Sequence, residues 1–286
     1  MTIRVICLLL FVYACKRATP NGSSNQSDVK LGFADARLSE ASGLVASINN
    51  PGFFWTINDS DNPAEVFLID QHATIRLVCT LAAIKNRDWE DISIDRGTDG
   101  KNYLYVADIG DNSSQYECKM IYRFEEPALL KGKERTITQF DTYVFRMPDG
   151  KRDAETILID PDTHELFLIS KREDSVGLYR IPVPLSKDTM TLTKVMSMPF
   201  HQIVAGSVSS DGRKVLLKDY NNVYLWNRGG DETLVQVLAR IPIEIPYQRE
   251  PQGEAIAWSL DGSDFYTLGE SPFGRNASLI RHKGKL

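Results

Sequence analysis

The hexapeptide DWEDIS, residues 88–93, sets three carboxylates (Asp88, Glu90 and Asp91) around a tryptophan, just before a stretch that runs into NYLYVADIGDN. Crowded carboxylates repel one another and lose hydration on burial, so such a group needs a proton, a cation or backbone amides to bond. When like segments of the chain are set under one another, Ser42, Glu155, Ser207 and Glu254 fall in the column of Glu90. Two hydroxyls and three carboxylates are hard oxygen ligands. They suit Ca2+, which takes about six to eight oxygens with carbonyls and waters completing the shell. The alternative is that all five bond neighbouring amides around a water-filled channel.

The segments that carry this column share one grammar. They begin at Ala41, Trp89, Ala154, Gly206 and Gly253. Each has a short apolar strand, a turn with Gly, Asp or Asn (NNPG, TDGK, DPDTH, SSDG, SLDGSD), and an alternating strand such as FFWTI, YLYVA or LFLIS. A polar loop and a third strand follow (VFLID, MIYRF, GLYRI, VYLW, SLIRH). A weaker fourth strand fills most gaps: IRLVCTL, FDTYVFRM, TLTKVMSM and TLVQVLARI. Short strands punctuated by turns argue for an all-β chain, and four strands repeating roughly every 50 residues argue for a β-propeller.

The fold expected is therefore a five-bladed β-propeller with four-stranded antiparallel blades. The fifth segment lacks its last strand, and VKLGFADARL, which precedes the first segment, completes it. Sharing one blade between the termini leaves no open edge. A β-sandwich is the competing architecture, and it would not account for the repeat. In a propeller the first strand of each blade lines the central channel, so the five-residue column meets around the axis. Glu90 then points inward, Trp89 packs between blades, and Asp88 and Asp91 stay on the loop or hold neighbouring amides.

The same face collects the loops that join second to third strands. These carry Asp59, Asp61, Asp108, Asp111, Lys171, Arg172, Lys218, Glu270 and Arg275, while the entering loops add Arg87, Arg152 and Arg249. A metal ringed by Lys and Arg can order a water and hold charged oxygens, which is how phosphoryl groups are handled. Asp59 or Asp108 would orient or deprotonate that water. Two functions fit: a Ca2+-dependent phosphohydrolase acting on a small phosphorylated substrate, or a non-catalytic propeller whose calcium only stiffens the ring while the face holds a glycan, peptide or protein. A serine hydrolase does not fit, because the chain has no G-x-S-x-G elbow.

These residues together resemble the calcium-activated nucleotidases, or soluble apyrases, which are five-bladed propellers with Ser, Glu, Glu, Ser, Glu around a central calcium. The resemblance assigns the metal to Ser42, Glu90, Glu155, Ser207 and Glu254. It also matches EASGL followed by FFWTINDSDN, DWEDI leading to LYVADIG, LFLISKR ending in Lys171 and Arg172, and VLLKDY giving Lys218. It implies that Asp59 is an active-site aspartate and that Lys171, Arg172 and Lys218 meet phosphates. Ser60 stands where the family has arginine, and only EEPALLKGKERTITQ stands where it has a long second-blade insertion. GEAIA…YTLGES resembles, more loosely, the esterase-like phytase and SdiA-regulated propellers of bacterial envelopes.

The N-terminus bears on location. MTIRVICLLLFVYA has one basic residue and then an apolar run too short to span a bilayer, as a signal peptide does. VYAC is similar to the lipobox of bacterial lipoproteins, which makes residues 1–14 the signal, Cys15 the lipidated residue and residues 15–28 a polar tether. Residues 29–286 form the propeller, held by its anchor at the bacterial cell envelope and facing periplasm or exterior. The net charge of −5 argues against nucleic acid as a partner. Cys79 and Cys118 are the cysteines left in the mature domain, and an exported compartment leaves their pairing open.

Overall fold

The computed structural model describes residues 28–129, 132–250, 252–270 and 278–284. The proposed signal peptide, the lipidated Cys15, the tether up to residue 27 and Arg275 lie outside the described residues. The strands form five sheets, and the chain is a five-bladed β-propeller. From axis to rim, blade 1 is Ala41–Ala46, Phe54–Asn58, Glu65–Ile69 and Ile75–Leu81. Blade 2 is Trp89–Arg96, Asn102–Asp108, Lys119–Glu125 and Asp141–Arg146, and blade 3 is Ala154–Ile159, Leu166–Ser170, Val176–Ile181 and Thr193–Met198. Blade 4 is Ala205–Val208, Lys214–Lys218, Val223–Asn227 and Ile243–Ile245. Blade 5 is Ala255–Trp258, Asp264–Leu268 and Ser278–Lys283, closed at the rim by the N-terminal Val29–Phe33, as the spare strand in the sequence predicts.

The alternation of apolar residues explains why five sheets stand in a ring. Successive side chains on a strand leave opposite faces, and each blade has a neighbour on both. Leu216 enters a core shared with blade 5, while Leu217 enters a core shared with blade 3. Phe54 packs toward blade 5 and Trp55 toward blade 2. Five apolar clusters result, one at each junction between blades, and Trp89 is fully buried in the one between blades 1 and 2. Each first strand also touches the first strands of both neighbours, which brings the heads of all five to one axis.

Two features depart from the expected pattern. TLVQVLARI is not a fourth strand: Leu234–Leu238 is a short helix, and Ile243–Ile245 takes the rim position of blade 4. Thr233 accepts from the Gln236 amide while the Gln236 side chain accepts from the Thr233 amide, a capping box, and Leu234, Val237 and Leu238 face inward at helical spacing. The other departure is two added rim strands. Glu134–Ile137, in the segment EEPALLKGKERTITQ, turns back to pair in parallel with Ile75–Leu81 of blade 1, and Met190–Thr191 pairs likewise with blade 2.

The first of these excursions is anchored by Glu126, which is 3 % exposed. Its carboxylate accepts from the Ser47 hydroxyl at 2.5 Å, the Trp55 indole at 2.9 Å, and the amides of Ile48 at 3.1 Å and Asn49 at 2.8 Å. Removing one acceptor of this kind strands several donors at once. Glu126→Ala is expected to cost about 4 kcal/mol in urea denaturation, against about half that for Glu126→Gln, which keeps one acceptor oxygen.

Candidate metal centre

The heads of the inner strands carry the acidic residues, and their register decides which side chains reach the axis. The first-to-second-strand ladder shifts by one residue at three heads: between Ser42 and Leu44, between Trp89 and Asp91, and between Ala154 and Thr156. Such a bulge re-aims a side chain. In blades 2 and 3 the extra residue is Glu90 or Glu155, and both are buried. The blade 4 ladder runs without a shift from Ala205 opposite Lys218 to Val208 opposite Val215. It has no extra residue at that level, so Ser207 sits further along its strand than the glutamates. The Ser207 hydroxyl accepts from the Trp258 amide at 3.2 Å, and the residue lines a cavity at the other end of the shaft.

The three glutamates do converge, together with four other carboxylates. Oxygens of Asp59, Asp88 and Glu90 lie within 4.8 Å of one another, and so do those of Asp59, Glu254 and Glu270 and those of Glu90, Asp153 and Glu155. The shared members join the three sets into one acidic well. Ser42 lies at its wall, parallel to Glu254 across the ring, with its hydroxyl donating to the Glu90 carbonyl at 2.5 Å. The rim glycine is required: a Cβ on Gly110 would stand 2.3 Å from Glu90 Oε1 and 2.5 Å from Asp88 Cγ. Gly110→Ala is expected to cost about 1–3 kcal/mol in urea denaturation, because the two acids have nowhere to retreat.

Of the three cations assigned to phosphates, Lys171 and Lys218 are buried and Arg172 is exposed. Lys171 Nζ stands 2.6 Å from Glu155 Oε1 and 3.7 Å from Glu254 Oε1, above the Tyr220 ring. Tyr220 donates its hydroxyl proton to Glu254. Arg172 holds Asp153 at 2.6 Å. Lys218 is fully buried, donating to the Gly253 carbonyl and facing Glu250 at 3.9 Å. Asp108 lies outside the well, paired with Arg87 at 2.8 Å. Asp91 spends its oxygens on the amides of Ile92 and Ile157, both at 2.8 Å, and so stitches blade 2 to blade 3.

Among the described residues, two cations form ion pairs with the seven carboxylates of the well. The imbalance shows in their proton affinity. Burial, and then the neighbouring acids, push Asp59 up to about 7 and Asp88 up to about 6. Glu90 is raised well above the carboxylate range by burial and by Glu155. Glu155 is raised by burial and the acids around it although Lys171 pulls the other way, and Glu270 is raised by burial and Glu254. Lys171 itself is held more firmly protonated by Glu155 and Glu254, against the effect of its burial. Glu155 Oε2 is buried without a hydrogen-bond partner among the described residues. An all-oxygen, negative well with an unsatisfied carboxylate oxygen is a donor set that could hold a hard divalent cation.

Sequence reasoning found Glu90, Glu155, Glu254 and Asp59 but assigned Asp88 to the loop and left out Asp153. A signal for both was present: Arg87–Asp88–Trp89–Glu90 and Arg152–Asp153–Ala154–Glu155 repeat one R-D-x-E pattern. Beside the well, Ser60, Asp61, Arg87, Asp88, Asn112 and Tyr116 line part of a polar groove of about 220 Å³.

No protein-family model matches the chain, and no curated protein matches it. Among solved structures it is similar to an auxiliary nutrient binding protein from Bacteroides thetaiotaomicron. The two align over 90 % of this chain and 76 % of that one, with a TM-score of 0.52 and 11 % sequence identity. At that identity the similarity speaks for the fold, and it agrees with the five-bladed ring. Cys79 and Cys118 are both free thiols, Cys79 fully buried between blades 1 and 2.

Proposed function

We propose that the chain is an exported, membrane-tethered calcium-binding propeller that holds a small polar ligand on the face where the acidic well opens. The observation that carries this reading is the well itself: seven carboxylates joined at the axis, with two cations paired to them among the described residues. Glu90, Glu155 and Glu254, with Asp59 and Asp88, would hold Ca2+, and the ion would fix the heads of the inner strands relative to one another. The ligand would take the adjoining groove, where hydroxyl, amide, carboxylate and guanidinium groups beside the Tyr116 ring suit a polyhydroxylated molecule such as a glycan. The similarity to a nutrient binding protein supports binding over catalysis, and the lipobox-like VYAC supports a place at the cell envelope.

The burial of Lys171 and Lys218 favours binding over phosphoryl chemistry, because both are spent on groups inside the protein, while Arg172 is exposed but held by Asp153. The hydrolytic reading keeps one observation in its favour. Asp59 is partly exposed at the mouth of the well and titrates near neutrality, as a general base does. The test is a metal analysis of the purified protein, followed by titration with neutral oligosaccharides and with a panel of phosphate esters, with and without Ca2+. Calcium-dependent sugar binding with no phosphate release is the expected result. Phosphate release that disappears in Asp59→Asn would establish the enzyme instead, and no bound or bindable metal would end both readings.

A further inference from the structure

The other end of the shaft holds a second site of opposite character. Beyond the bulges, all five inner strands and the turns after them enclose a cavity of about 320 Å³. Leu44, Ile92, Ile94, Ile159, Val208 and Trp258 dominate its wall. The volume is roughly twice the ~150 Å³ at which an apolar cavity stays dry and takes up benzene or xenon. It reaches the range, from about 300 Å³ upward, in which small-molecule sites are found.

The polar groups on this wall are mostly committed. The Ser207 hydroxyl accepts from the Trp258 amide, Ser210 donates to the Leu260 carbonyl at 2.7 Å, and Ser209 donates to Asp211 at 2.6 Å. Asp95 is held by His164 Nδ1 at 2.9 Å. The indole N–H of Trp258 has no hydrogen-bond partner among the described residues, but it is closed off from the cavity's open space, so the Trp258 ring contributes as apolar wall. The carboxylate of Asp95, held by His164, and the exposed Arg96 next to it give the wall one charge of each sign, so neither a cation nor an anion is favoured inside.

We infer that this cavity is a binding site for an uncharged, largely apolar small molecule. The site is separate from the acidic well and does not depend on calcium. The apolar walls supply the affinity.

The test uses N-phenyl-1-naphthylamine, an uncharged probe that brightens in apolar surroundings, titrated into the full protein with Ca2+ and again with EDTA. One probe per chain, bound equally in both conditions and displaced by 1-octanol, is the expected result. Two space-filling variants, Val208→Phe and Ser93→Phe, each reduce probe binding at least tenfold while their melting temperatures stay near that of the unaltered chain. If one filler fails to fold, the other together with octanol competition decides. No saturable binding, binding that neither filler alters, or binding that follows calcium overturns the inference.

Discussion

In EDTA the folded protein loses stability as pH rises from about 4 to about 7, and saturating Ca2+ removes that loss. The direction follows from proton linkage. Burial and like charge raise Asp59 from 3.8 to about 7 and Asp88 from 3.8 to about 6 in the folded state. A raised acid keeps its proton in the fold at a pH where the unfolded chain has released it. Between the two values the folded state binds more protons, so the slope of unfolding free energy against pH is negative. The contribution is fully present below the unfolded value near 4 and gone above the folded value. Glu90, Glu155 and Glu270 shift the same way and steepen the fall. A bound divalent ion inverts this logic by favouring the ionised carboxylates. At a hundred times its dissociation constant it adds about 2.7 kcal/mol, a rise of roughly 5–10 °C in melting temperature for a domain of this size. Thermal scans at pH 5, 6, 7 and 8, with and without calcium, read the effect directly. Curves that coincide at every pH would remove the cation from the well. Glu90→Gln is expected to flatten the EDTA slope and to abolish most of the calcium shift.

Lys171→Met is expected to produce the largest change in cation affinity of any single substitution. The Lys171 ammonium stands at 2.6 Å and 3.7 Å from two of the glutamates that would hold the ion, so it competes with that ion for the same oxygens. A unit charge at about 4 Å is worth about 4 kcal/mol at an effective dielectric constant of ~20. Some of that is lost to relaxation and solvent, which leaves a gain of about 100-fold in calcium affinity. The same substitution strips a buried acid of its partner, at about 3 kcal/mol of stability in EDTA. Protonation of Glu155 keeps the cost toward the low end of such cases. The variant should thus be less stable than the unaltered chain without calcium and close to it with calcium. Calorimetric titration and paired melting curves check both halves. Affinity that falls would mean that Lys171 helps to build the site rather than to occupy it.

Much of the fold was legible because its signals are local. Alternating apolar residues, turns rich in Gly, Asp and Asn, and a recurring segment fix strand count and blade order, since blades 1 to 4 each take their four main strands in chain order. The missing last strand and the spare first one gave the closure at Val29–Phe33. The exception was also local. Thr233 and Gln236 carried a capping box, but the apolar run around them reads equally as strand or as helix over so few residues.

The sequence by itself determined a ring of five blades with acidic heads on the inner strands, and it picked out Glu90, Glu155, Glu254 and Asp59. Only the tertiary structure decided which oxygens meet. One extra residue in a ladder leaves no mark in composition or period, yet it turns Glu90 and Glu155 toward the axis, and its absence in blade 4 leaves Ser207 deeper in the shaft. Charge balance was equally hidden. Lys171 and Glu254 are far apart along the chain and stand beside one another only because the ring closes, so whether a lysine faces solvent or neutralises a buried glutamate is settled by packing between blades.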